Sequence, residues 1–322
     1  MRIWRLQDLG DPIDHLHLVE EEAPVPGPGQ VAVRVEAVGL AFPDVLQCRG
    51  QYQVRTPPGF TPGGETCGTV TAVGDGVTDP APGRRVVFLG GGLAEHVVIP
   101  AGSAFAVPDG VAPETAAALP INYCTTWFAL HDRGHLAPGE WLLVTGAGGG
   151  TGTAAIELGR AAGARVVAVA GGATKVGICR DLGADVVIDH RDTPDWVDAV
   201  REATGGGVDV AYDPVGGDTF HQVRRGMAWD GRLLVIGFVA GIPDAPMNHV
   251  LLKNYSIVGV HWGASLARRP ESLAEQMDAV LALAGAGRIA PPLFPPYRFD
   301  DAARALQDLA ERRTHGKVVV TL

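Results

Sequence analysis

The chain has 322 residues, 46% hydrophobic and 19% charged, with a formal net charge of −10. That is room for about two globular domains with real cores, and the acidic balance leaves no overall field to attract nucleic acid. No apolar run reaches the ~18 residues of a membrane span and the opening MRIWRLQDLG lacks a signal-peptide apolar core, so a cytoplasmic protein without a membrane partner is expected. Cys48, Cys67, Cys124 and Cys179 form no CxxC pair, which argues against a disulfide framework and a cysteine-rich zinc lobe alike.

Taken in order, strand signals fall at residues 2–6 and 30–38, where QVAVRVEAV alternates, with an acidic, proline-rich loop at 20–29 between them. Short strands follow at 69–73, 85–88 and 94–99, separated by Gly, Pro and Asp turns, which predicts a β-rich, barrel-like domain. An alanine-rich helix is expected over 114–130. Residues 141–152, WLLVTGAGGGTG, then break from an apolar strand into glycines and continue as the helix 153–162. Strand, glycine turn and helix open a nucleotide-binding βαβ unit: Gly146 permits the tight exit, Gly149 lets a pyrophosphate approach the backbone, and Gly152 lets the helix pack on the sheet. Gly150 and Thr151 complete the turn, whose free N–H groups and helix dipole favour an anion.

Beyond it, strands at 165–170, 185–188, 208–212 and 231–236 alternate with helices at 175–182, 196–203 and 219–227, the pattern of a doubly wound parallel sheet. After a strand at 256–260 the alternation stops; helices at 271–284 and 301–312 and a strand at 317–321 are expected to return to the first domain. The reading is therefore a catalytic or substrate domain from 1–118 and 264–322, with a nucleotide-binding domain inserted at 119–263.

Several motifs in this order resemble the zinc-free quinone oxidoreductase, or zeta-crystallin-like, branch of the medium-chain dehydrogenase/reductase superfamily. They are GLAFPDVLQCRGQY (39–52), TPGGETCGTVTAVGDGV (61–77), GGLAEHVVIP (91–100), VTGAGGGTG, DPVGG (213–217), LLKNYSIVGVHWG (251–263) and GKVVV (316–320). The resemblance implies an α/β protein with a GroES-like β domain, an inserted Rossmann domain and a cleft between them, moving hydride from a nicotinamide to an electron-poor acceptor. Zinc-dependent relatives place a cysteine and a histidine at what are here Ala41 and Gly64, neither of which can ligate a metal, and the structural zinc loop after Gly83 is missing. No metal is expected, and substrates should carry their own activation, as quinones and α,β-unsaturated carbonyls do. Quinone oxidoreductases usually carry Asn at Ala41; its loss makes the pocket less polar and favours an enone or enoyl acceptor as the second reading.

By the same resemblance Tyr52 is the active-site tyrosine, either donating to the oxygen that gains charge or packing at a domain edge. Thr125 matches a threonine near the nicotinamide, with its own backbone as the competing partner. Asn122 and Tyr123 are expected on the same wall, Phe42 and Trp262 in the substrate pocket, and Phe238 and Lys317 at the cofactor. NADPH is expected over NADH: no Asp or Glu ends the second strand to bond a ribose 2′-OH, Gly171 and Gly172 leave room for a phosphate, and Lys175 and His190 supply donors, unless Lys175 is simply solvated. The apolar strand 256–260 is expected at a sheet edge, pairing with its copy in a homodimer. A reading of another class is a nucleotide-binding structural or RNA-binding protein, against which the acidic charge stands.

Overall fold

Short runs of β-formers between Gly, Pro and Asp turns set the first part of the chain, as described by a computed structural model of residues 1–57 and 59–322. A hairpin of β1 (Arg2–Leu6) and β2 (Leu16–Glu20) precedes β3 (Gln30–Leu40), β4 (Glu65–Val73), β5 (Arg85–Leu89), β6 (His96–Pro100) and β7 (Phe105–Ala106). The Rossmann strands are β8 (Trp141–Val144), β9 (Arg165–Ala170), β10 (Val186–Asp189), β11 (Val208–Asp213), β12 (Met227–Val235) and β13 (Ser256–Gly259), and the chain ends with β14 (Tyr297–Arg298) and β15 (Val318–Thr321).

Two compact units result, Met1–Asn122 with Met277–Leu322, and Tyr123–Gln276. Both seams lie later than 118/119 and 263/264, and side-chain bonds explain why. Glu65 on β4 accepts the Ile121 N–H at 2.8 Å, tying the start of helix Pro120–Trp127 to the β unit. The Trp262 indole N–H donates to Gln276 at 2.7 Å, which carries the Rossmann unit to Gln276.

In the β unit β3 is the hub, paired antiparallel with β4, β6 and β15, in a sheet ordered β14-β15-β3-β4-β5-β7. With neighbours on both edges and cores on both faces it is buried along most of its length rather than on alternate residues only. One core gathers Trp4, Leu40, Val45, Phe299, Leu306 and Val320; a smaller one gathers Val31, Val33, Val86 and Phe88.

The Rossmann unit is a six-stranded parallel sheet ordered β10-β9-β8-β11-β12-β13. The order reverses between β8 and β11, and in such sheets ligands bind in the crevice outside the carboxyl ends of the strands at that reversal. Its core, with Leu143, Val167, Trp196, Ala211 and Leu233, holds the helices on the sheet. The single helix expected over 114–130 is two, Pro113–Ala117 and Pro120–Trp127, followed by a π-helical turn at Phe128–Arg133. Pro120 has no N–H to continue the first helix.

Candidate functional site

The crevice at the sheet reversal is built by glycines and one buried carboxylate. Gly146 leaves β8 with φ +56°, a left-handed conformation that only glycine adopts without strain. At Gly152 a Cβ would fall 2.4 Å from the Gly146 carbonyl oxygen, so helix Gly150–Ala161 sits against the turn only because that atom is absent. The N–H groups of Gly150, Thr151 and Gly152, in the helix's first turn, have no intrahelical acceptor and face the site where an anion is favoured. The Thr151 hydroxyl is turned to Tyr212, which also bonds the Thr126 hydroxyl at 3.0 Å. Thr151 therefore offers its backbone rather than its side chain. Burial, against those two hydroxyl bonds, pushes the Tyr212 phenol up to about 12.

Across the reversal, Asp213 ends β11. Its Oδ1 accepts from the Thr145 hydroxyl at 2.6 Å and from the N–H groups of Val215 and Gly216 at 3.0 and 3.3 Å. This locks the DPVGG turn so that Val215 lies beside Gly146 and Gly216 beside Phe238, which is 46% exposed.

At the end of β9, Gly171 and Gly172 face a basic rim. The His190 ring lies over Gly171, where a Cβ would meet Nε2 at 2.5 Å, and the Arg191 guanidinium over Gly172, where a Cβ would meet Nη1 at 2.8 Å. Asp189 accepts the Gly172 and Arg191 N–H groups, which fixes that rim and turns the nearest carboxylate to the backbone. The Lys175 stem packs on Gly148 of the glycine turn, 2.5 Å from where a Cβ would stand. Arg191 is not among the expected residues. Its sequence signal is its place directly after His190, visible only once β10 is seen to deliver that corner to the end of β9.

In the β unit the chemistry-bearing positions are organised by Asp44, 2% exposed. Oδ2 accepts the Ala41 N–H at 2.8 Å, capping helix Phe42–Cys48, and Oδ1 accepts the Gly63 and Gly64 N–H groups at 3.0 and 3.1 Å. Burial pushes this carboxyl up, opposed by the three N–H bonds and the Lys317 charge. Ile121 Cδ1 lies 2.8 Å from where a Gly64 Cβ would be. Ala41 and Gly64 thus bring no donor side chain, and among the described residues no group of three or more His, Cys, Asp or Glu side chains is placed to hold a metal. This donor set does not fit a catalytic zinc. Phe42 and Tyr52 are half-buried. Burial, then the Asp44 charge, raises the Tyr52 phenol, so it is a neutral hydrogen-bond donor at physiological pH.

Three expected residues make buried bonds within their own units. Tyr123 is 1% exposed and its hydroxyl donates to buried Glu157. Lys317 is buried and its ammonium pairs with Glu65. Trp262 is buried on Gln276. Asn122 is buried, whereas Thr125 is half-buried beside Thr126, whose hydroxyl bonds Tyr212.

A glycine-turn Rossmann sheet inserted in a β domain is the architecture of a nucleotide-dependent oxidoreductase. The family model described as "Zinc-binding dehydrogenase" matches residues 150–282, and "Alcohol dehydrogenase GroES-like domain" matches 27–109. Quinone oxidoreductase-like protein 2 of Bos taurus is 36% identical over 311 residues, 95% of this chain and 89% of its own. A probable oxidoreductase from Mycobacterium abscessus is 37% identical with a TM-score of 0.90, covering 100% of this chain and 99% of that one. The quinone oxidoreductase of Thermus thermophilus, whose structures include a complex with NADPH, is 34% identical with a TM-score of 0.84, covering 100% of both chains. The chain belongs to the medium-chain dehydrogenase/reductase superfamily, in its quinone oxidoreductase-like branch. No helix among the described residues is long and apolar enough to cross a membrane.

Proposed function

We propose that this protein is an NADPH-dependent reductase that delivers hydride, without a metal, to a quinone or another conjugated, electron-poor carbonyl. The observation that carries the cofactor choice is the rim at the end of β9. Gly171 and Gly172 admit the His190 ring and the Arg191 guanidinium over the backbone, Lys175 follows in the next helix against Gly148, and the carboxylate of Asp189 is spent on the Gly172 and Arg191 N–H groups. The Thermus relative's complex with NADPH supports the same reading. When bound, the nicotinamide supplies the hydride. The glycine turn and helix Gly150–Ala161 would hold the pyrophosphate, the DPVGG turn and Phe238 would bound the crevice, and Thr125 would lie at the nicotinamide end. Tyr52 would donate a hydrogen bond from its neutral phenol to the acceptor oxygen as negative charge develops there.

Ala41 and Gly64 bring no ligand to the positions where zinc-dependent relatives hold their metal, so on this reading the acceptor is activated by its own conjugation. Ala41 also favours the second reading, an enone or enoyl reductase, because its N–H is spent on Asp44 and it offers no polar side chain. A steady-state panel of quinones, enones and simple aldehydes, with NADPH and NADH and after exhaustive chelation, tests this. Turnover of quinones or enones with NADPH, unchanged by chelation, is expected; turnover confined to aldehydes, or restored only by zinc, overturns it.

The reading includes a homodimer. β13 is an edge strand with no charged residue, and the helix before it exposes Met247, Leu251 and Leu252, each at least two-thirds. Such an edge invites pairing with its own copy about a twofold axis. Light scattering should give about twice the chain mass, and Val258→Asp should shift it toward monomer.

A further inference from the structure

The Rossmann unit carries a second basic concavity that the nucleotide crevice does not use. A cavity of ≈770 Å³ opens between the π-helical turn Phe128–Arg133, the end of β13 and helix Trp262–Arg268. Arg133, Arg268 and Arg269 line it, with Asp132 as the one carboxylate among its lining residues. In a chain of net charge −10, this gathers three guanidinium groups against one carboxylate. Their mutual repulsion is compensated only in part: Asp132 pairs with Arg269 at 3.9 Å, and neither Arg133 nor Arg268 has a carboxylate in ion-pair range among the described residues.

The groups are also held in place. Arg133 Nε donates to the Gly259 carbonyl at 3.1 Å, which restrains the guanidinium at the cavity wall without using its terminal nitrogens. Arg269 is tethered to the Ser265 hydroxyl at 3.4 Å. His261 Nδ1 accepts the Ala264 N–H at 3.0 Å, so the neutral ring carries its proton on Nε2, a further donor beside the arginines. Each arginine lies at the C-terminal end of a helical element, where a cation is ordinary; what sets this cavity apart is that two such ends, Phe128–Arg133 and Trp262–Arg268, bring three of them to one space.

We propose that this cavity binds the phosphoryl group of an organic phosphate, independently of the nucleotide crevice. Forked guanidinium donors suit a phosphate, whose dianion matches the local excess of two positive charges, better than one carboxylate with its single charge. The cavity exceeds the volume of a lone phosphate, so the ligand is larger than its anionic end, with Phe128 as the apolar wall for the rest.

The test is calorimetric titration of the full-length protein with inorganic pyrophosphate after saturation with NADPH, and of its Arg268→Ala and Arg269→Ala variants, with succinate as the carboxylate probe. Saturable binding that weakens with salt is expected, with each substitution costing about tenfold in affinity while the thermal midpoint stays unchanged. No saturable binding at millimolar pyrophosphate overturns the proposal, as does binding that both variants retain. Succinate bound as tightly as pyrophosphate overturns the phosphate assignment. Pyrophosphate that binds only by displacing NADPH belongs to the nucleotide crevice and overturns the claim of independence.

Discussion

Asp44 in the β unit and Asp213 in the Rossmann unit are each 2% exposed, each accept three hydrogen bonds with glycine N–H groups among the donors, and are both pushed up by burial. What they frame differs. Asp213 locks a turn at the open carboxyl end of a parallel sheet, where the neighbouring glycines leave a crevice. Asp44 pins backbone over which Ile121 already lies, so the position that zinc-dependent relatives give to a ligand is filled by scaffold. The same device makes room in one unit and closes it in the other, and the neighbouring side chains decide which.

The largest effect is expected from Lys317→Met, which strips the partner from a fully buried carboxylate in the β unit. Glu65 is 0% exposed and holds both Lys317 and the Ile121 N–H, so the loss should be about 3–5 kcal/mol in denaturant unfolding. The comparison of the carboxylates is tested directly by Asp44→Ala and Asp213→Ala, each leaving N–H donors without their acceptor at a cost of about 2–3 kcal/mol. Calorimetry should then separate them: Asp213→Ala weakens NADPH binding as well, whereas Asp44→Ala leaves it within about twofold. Equal losses of NADPH affinity would break the comparison.

A pH effect of smaller size comes from Tyr212. Its phenol is raised from 10 to about 12 in the fold, so its contribution is fully present below pH 10 and is lost as pH rises through the folded value. Between those two values wild-type stability should fall relative to Tyr212→Phe by about 1.4 kcal/mol per pH unit, read by urea unfolding at stepped pH. The smallest effects concern the basic rim: Lys175→Ala and Arg191→Ala should each cut the NADPH-to-NADH preference in kcat/KM about tenfold, and an unchanged ratio removes that residue from the phosphate site.

The sheet of the Rossmann unit is legible in the sequence because its strands are short apolar runs between glycine stops: RVVAVA reads as a strand at 165–170, where β9 lies. The β2 strand is not, since LHLVE mixes polar residues into a half-exposed hairpin. Helices Phe42–Cys48, Met247–Lys253 and Trp262–Arg268 escape a periodicity reading because at seven residues each they complete too few turns to show a period. Among site residues, the glycine turn announces itself by spacing. The inward turn of Tyr123 does not, because its partner Glu157 is 34 residues away on another helix. Lys317 is hidden for the same reason: its partner lies 252 residues earlier, and sequence proximity carries no sign of it.

On the proposed role of Lys175 at a ribose 2′-phosphate, its contact with Gly148 means that the two ends of the dinucleotide would not be recognised by separable parts. A residue serving the ribose end by its charge would also set how much room the pyrophosphate turn has. Any larger residue at 148 would push the lysine stem away and, on that proposal, alter coenzyme discrimination from a position remote from the 2′-phosphate. Coenzyme preference would then be inherited with the shape of the glycine turn, and transplanting the rim alone into another Rossmann sheet would carry over its charge without its placement.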